Sequence, residues 1–166
     1  MTQLEIEAFW RQAQSCLRDR PLPVGVSESE PPATQSFGAT PEQADELLDL
    51  ILTGVKTGTA CPLRDYELEG DPLPQVGDLC IVLDGAGSPR ALIRTTDVRV
   101  VRFDQVTEEH ARAEGEGDRT LAHWRAVHEW FFKEYDKHLR GFSPYMPVVC
   151  ELFEVVIPAE LPVAAR

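Results

Sequence analysis

Nothing in the chain approaches the roughly 18 consecutive apolar residues that a membrane span requires. Its start, Met1-Thr2-Gln3-Leu4-Glu5, holds neither the cationic nor the apolar region of a secretion signal, so a cytoplasmic location and no membrane partner are expected. Cations are also scarce. Lys plus Arg number 16 against 28 Asp plus Glu, a formal charge of −12. That balance excludes a polybasic coat for nucleic acid, because neutralising phosphates needs an excess of cations where the polymer lies; a local basic groove stays open. The four cysteines, Cys16, Cys61, Cys80 and Cys150, are scattered and form no C-x-x-C pair. A zinc ribbon and a thioredoxin-type site are therefore not expected, and reduced thiols suit the compartment. Cys80 and Cys150 sit inside apolar runs and read as small core residues.

What is present describes an ordinary globular chain. Its 166 residues are 43% hydrophobic and 27% charged, a size that buries roughly 70% of the unfolded surface. Residues 3–18 suit an amphipathic helix that docks Leu4, Ala8 and the Phe9-Trp10 pair on a core. Pro21, Pro23, Gly25, Ser27, Ser29, Pro31 and Pro32 then make a connecting arm, because proline removes backbone donors and biases its predecessor away from helix. The first 36 residues thus read as an N-terminal extension, 37–158 as one domain and 159–166 as a C-terminal tail. Thr40, Pro41 and Gln43 form a capping box, Ala44, Leu47, Leu48, Ile51 and Leu52 share a helical face, and Gly54 suits the left-handed end. Leu79–Leu83 reads as a buried strand, with turn residues Gly85, Gly87 and Pro89 before Ala91-Leu92-Ile93. Helices are expected from Thr107 to about Glu114 and from Thr120 to about His138, and a closing strand over Val148–Val156. This order predicts an α+β fold, a small β-barrel decorated by helices, since alternating βαβ units are absent.

Three patterns carry chemistry. Gly54-Val55-Lys56-Thr57-Gly58-Thr59 projects a lysine and two hydroxyls from a tight turn into a strand. Lys56 suits a phosphate or a developing oxyanion, or serves as base to Thr59 as in Ser-Lys chemistry; a solvated lysine after a helix cap is the bland alternative. It is not a Walker loop, whose spacer and G-K-[ST] ending are missing. Glu114, Glu116 and Asp118 alternate with glycines, so they either offer carboxylates for proton transfer or a divalent cation, or simply make a solvated turn. Arg90, Arg94, Arg99 and Arg102 face one acid, Asp97, between Ser88 and Phe103, and Arg90, Arg94 and Arg102 share strand parity. That segment offers either a phosphate-facing surface or a charged barrel exterior. His123 and His128 lie about 140° apart around a helix, so no zinc pair is expected, and His128 and the Trp124/Trp130/Phe131/Phe132 cluster read as core.

In this order the pieces resemble the ASCH family, small β-barrel domains related to the PUA fold, over about residues 37–156. The resemblance rests on Gly54-x-Lys56-x-x-Thr59, Gly77-Asp78, the run from Glu114 through Gly-Glu-Gly-Asp-Arg-Thr-Leu to Phe132, and Pro147 to Phe153. The Glu-Gly-Glu-Gly-Asp-Arg-Thr-Leu version looks like one bacterial branch. The resemblance implies a cleft between barrel and helices. Family members are associated with RNA binding, ribonuclease activity and amide hydrolysis of acylated cytidines. The hydrolase members use a Lys, a Thr three positions on and a distant Glu, which fall on Lys56, Thr59 and Glu114. Where some of them carry an arginine two residues after the Thr, this chain has Cys61.

The expected function is therefore action on RNA or a modified nucleoside, hydrolytic through Lys56, Thr59 and Glu114. Thr57, Arg94, Glu116, Asp118, Arg119 and Glu151 are candidate substrate contacts. No cofactor or metal is expected; a divalent cation on Glu114, Glu116 or Asp118 enters only in a phosphodiester version. The competing expectation is a non-catalytic RNA- or nucleotide-binding module that stacks bases on aromatic rings.

Overall fold

Helix α2 (Pro41–Leu52) begins as its cap residues dictate. The Thr40 hydroxyl accepts from the Gln43 backbone, Pro41 occupies the first turn, and Gly54 follows at φ +73°. The Gln43 side chain accepts from the Ala39 amide at 2.8 Å, one residue upstream of the capping-box position. The computed structural model describes residues 3–17, 29–136 and 139–157. Besides α2 it contains α1 (Gln3–Cys16), β1 (Ala33–Gln35), β2 (Gly58–Pro62), α3 (Leu63–Glu69), β3 (Leu79–Leu83) and β4 (Pro89–Arg102). A 3-10 turn (Phe103–Gln105), α4 (Glu108–Glu114), α5 (Leu121–Glu134) and β5 (Pro147–Ile157) complete it. The strands hydrogen-bond in the order β1-β3-β4-β5-β2, with β1 parallel to β3 and the β3/β4 and β2/β5 pairs antiparallel. The class is α+β, as expected.

Two compact units divide these elements. The first holds α1, β1, α2, β3, β4 as far as Thr95, and β5 from Glu154. Its core joins Ile6, Phe9, Trp10, Ala13 and Leu17 to Leu79, Ile81, Leu83, Leu92 and Ile157. Phe9 and Trp10 dock as expected, but Leu4 and Ala8 are exposed. At 100° per residue they fall opposite the Ile6/Trp10/Ala13/Leu17 face, and Ile6 and Ala13 take their place. The β3–β4 turn rests on α2, where the Gly85 amide donates to Asp45 at 2.7 Å. The expected arm partly falls at 18–28, outside the described residues, as does the tail 159–166; the helix expected to reach about His138 instead ends at Glu134, with Tyr135 as its C-cap.

The second unit holds β2, α3, β4 from Thr96, the 3-10 turn, α4, α5 and β5 as far as Phe153. Phe103, Val106, Ala111, Trp124, Phe132, Met146, Val148 and Cys150 form its core. Thr107 and Thr120 cap α4 and α5, each accepting from the amide three residues on. Helix α4 lies against β2: a Cβ on Gly58 would stand 3.5 Å from that of Ala113 and 3.0 Å from the Leu152 side chain. A side chain there would have to press Leu152 aside by a few tenths of an ångström. Strand β2 pairs with β5 in the register Thr59↔Glu151 and Ala60↔Cys150.

Candidate functional site

The candidate site lies wholly within the second unit and grows from two chain reversals. After α2 the chain turns at Gly54 and enters β2 through Val55, Lys56 and Thr57. Helix α4 ends at Glu114 because Gly115 adopts φ +74°, and a Cβ there would stand 2.5 Å from the Val55 carbonyl oxygen. The two backbones therefore run side by side, tied by the Thr57 amide donating to the Ala113 carbonyl at 2.7 Å. This contact brings Lys56 against Glu114, 58 residues apart in sequence.

Both side chains are sealed, each 1% exposed. Lys56 Nζ stands 2.8 Å from Glu116 Oε1, 3.4 Å from Glu114 Oε2 and 3.4 Å from the Glu114 carbonyl. Three acceptors thus face the three N–H donors of the ammonium. Glu114 is held from further sides. Trp124 Nε1 donates to Oε1 at 2.6 Å, His110 Nε2 lies 3.2 Å from Oε1, and His128 Nε2 lies 3.4 Å from Oε2. His128 is itself stacked on Trp124, centroids 4.1 Å apart, with Nδ1 at 3.0 Å from the Trp124 carbonyl. Burial alone would push the Glu114 carboxyl up. The charges of His128 and Lys56, with hydrogen bonds from both histidines, outweigh it and hold that carboxyl well below the usual carboxylate range.

Beside this network lies a cavity of about 290 Å³. Apolar walls such as Val106, Leu152 and Phe153 are joined by Thr57, Arg99 and His110. His110 belongs to both features, since it lines the cavity and bonds Glu114. Lys56 and Glu114 do not line the cavity; they lie behind its wall.

The expected residues divide accordingly. Lys56, Glu114 and Glu116 come together, and Thr57 lines the cavity with its hydroxyl 3.3 Å from the Ala113 carbonyl. Thr59 does not join them. It stands opposite Glu151 in the β2/β5 register and is not among the residues that line the cavity. Asp118 accepts from the Thr120 amide and hydroxyl at 2.9 and 2.7 Å, which orders the entry to α5. Arg119, at φ +63°, donates to the Arg112 carbonyl at 3.3 Å. Arg94 belongs to the first unit and pairs with Glu154. Arg90 and Arg102 are likewise matched, by Asp84 and Asp104. Of the four arginines on that stretch, Arg99 is the one on the cavity, 73% exposed and 2.8 Å from Asp97. Its odd position along β4 sets it apart from the parity that Arg90, Arg94 and Arg102 share. His110, His128 and Trp124 were also missed as partners of Glu114. His110 carried a signal, standing one helical turn ahead of Glu114 on α4. Among the described residues, no group of three His, Cys, Asp or Glu side chains is arranged to hold a metal ion.

The family model described as "ASCH domain" matches residues 33–157. The chain belongs to the ASCH domain family. This ASCH chain is 35% identical to protein EF3133 of Enterococcus faecalis V583, whose crystal structure matches with TM-score 0.82 over 96% of this chain and 92% of that one. An ASCH domain from Lactobacillus crispatus JV V101 is 32% identical and matches with TM-score 0.72, over 87% of this chain and 94% of that one. No curated protein matches. The ASCH domain is thus of the α+β, PUA-like class, with an N-terminal helix, and no helix among the described residues is long and apolar enough to cross a membrane.

Proposed function

We propose that this ASCH protein hydrolyses a modified nucleoside, or a single unit of an RNA, held in the cavity beside His110. The observation that carries this reading is the sealed Lys56–Glu114 pair, joined by half-buried Glu116, with the Glu114 carboxylate reaching the cavity wall through His110. A buried charge cluster costs several kcal/mol to desolvate per ion; keeping one beside a ligand-sized space suits a site that needs fixed charges. A cavity of about 290 Å³ lies at the small end of ligand sites, fitting a nucleoside-sized group rather than a polymer. The charge of −12 and the acid partner beside each of the β4 arginines point the same way. In this reading Lys56 and Glu116 are fixed charges that hold Glu114, Thr57 and Arg99 contact the ligand, and Thr59 takes no part.

The test is turnover of N4-acylcytidines and of single-stranded RNA by wild type and by Lys56→Ala, with and without EDTA. Acylcytidine should be consumed, indifferent to EDTA and to salt, and a folded Lys56→Ala protein should lose that activity. Equal rates for the two proteins on both substrates would sink the reading. The sealing of Lys56 behind the cavity wall favours one second reading, binding without chemistry. Cytidine or its acyl derivative would then saturate the protein with no product formed, and RNA affinity would fall steeply with ionic strength if the polymer were the ligand.

A further inference from the structure

Resting on the hydrolase reading above, we propose that His110 is the catalytic residue that moves the proton in the cavity, and that Glu114 is its positioning residue. Glu114 Oε1 receives the indole N–H of Trp124, a group that only donates. The same oxygen lies 3.2 Å from His110 Nε2, so the ring must carry its hydrogen there to bond it. A neutral imidazole with hydrogen on Nε2 keeps its lone pair on Nδ1. Among the described residues Nδ1 has no hydrogen-bond partner, while the residue lines the cavity and its side chain is 10% exposed. An imidazole oriented by a buried carboxylate, with the opposite nitrogen left for the ligand, is the arrangement that general-base hydrolysis uses.

The other titratable groups on the cavity lack such support. Asp97 is engaged by Arg99 at the surface, Glu109 is exposed, and the Cys150 thiol is pushed up to about 12 by burial and by Glu114. Lys56 Nζ is committed to three oxygens behind the wall, and Thr59 is not among the residues lining the cavity. The step is balanced with water as nucleophile. Water oxygen bonds to the amide carbonyl carbon while its proton passes to Nδ1. The carbon–nitrogen bond then breaks as Nδ1 returns that proton to the leaving amine. One water is consumed, and a carboxylic acid and an amine result.

The experiment measures kcat and KM on N4-acetylcytidine, with single-stranded RNA as the second substrate, for wild type, His110→Gln and His110→Ala, each confirmed folded by circular dichroism. Loss of the proton carrier should lower kcat about 100-fold or more, with KM changed less than about threefold because ground-state contacts remain. Added imidazole should restore part of the rate to His110→Ala, which a merely structural role would not allow. His110→Gln within about threefold of wild type in kcat, or loss of rate without imidazole rescue, would overturn the role of His110 while leaving the hydrolase reading intact. No turnover by wild type on either substrate would overturn both.

Discussion

Replacing Lys56 by Met keeps most of the side-chain volume and removes the charge that faces Glu114. The lysine and Glu114 are each 1% exposed, so solvent does not screen the loss. Glu116, at 27% exposure, can turn to water, so the stranded charge is that of Glu114. Removing one member of a buried ion pair strands the other, at a cost of about 3–5 kcal/mol. For a chain of this size that lowers Tm by about 6–20 °C, at roughly 2–4 °C per kcal/mol. Urea unfolding at pH 7, followed by circular dichroism, should show a lower midpoint with an unchanged slope. Lys56→Met/Glu114→Gln should recover most of the loss, because no uncompensated carboxylate remains. The sign with pH follows from Glu114. Its carboxyl is held low in the folded state, so its stabilisation is present above the ordinary carboxylate range and lost as pH falls through the depressed folded value. The gap between wild type and Lys56→Met should accordingly narrow in acid. A loss below about 1 kcal/mol at pH 7, or a gap that widens in acid, would refute the claim that this ammonium compensates a buried carboxylate.

Gly115→Ala should cost more than about 2 kcal/mol in the same urea assay, since a positive φ alone costs a side chain about 1–2 and its Cβ would meet the Val55 carbonyl at 2.5 Å. Activity should fall with it, because the strain lies where Lys56 and Glu114 are brought together. Thr120→Ala removes the cap that accepts from the His123 amide and should cost about 1 kcal/mol, read as a Tm drop of about 2–4 °C. Alkylation of native protein at pH 8 should mark exposed Cys16 and spare buried Cys150, whose thiol is pushed up to about 12 by burial and by Glu114; peptide mapping by mass spectrometry reads the difference. Equal labelling of the two would contradict the sealed core around Glu114.

Local signals carried the parts of the fold that local chemistry determines. Thr40, Thr107 and Thr120 each cap the helix expected from them, and the apolar run Leu79–Leu83 is a strand over those five residues. Elements without a buried face left no such trace. Strand β1 is exposed at all three residues, and α3 buries none of its seven, so neither shows a periodic apolar pattern to read. In the site, the meeting of Lys56 with Glu114 was legible through family resemblance, because it depends on a backbone contact across 58 residues that spacing cannot encode. That Thr59 does not line the cavity was not, because three residues of separation does not say which neighbours a side chain meets once a strand, β2, begins between the two. Trp124 and His128 read as core, which they are; that their polar atoms also hold a carboxylate is a tertiary fact. Arginine parity along β4 carries no information about the acids Asp84, Glu154 and Asp104 that pair with Arg90, Arg94 and Arg102.

The chain has three lysines, and one of them is locked inside the second unit. An amine-reactive reagent therefore meets Lys56 only when that unit opens, whereas exposed Lys133 is modified at once. The ratio of the two adducts over time becomes a built-in clock for opening, with no engineered probe needed. A cavity ligand that steadies His110 would slow that clock, so occupancy can be read by mass spectrometry even before any product has been identified.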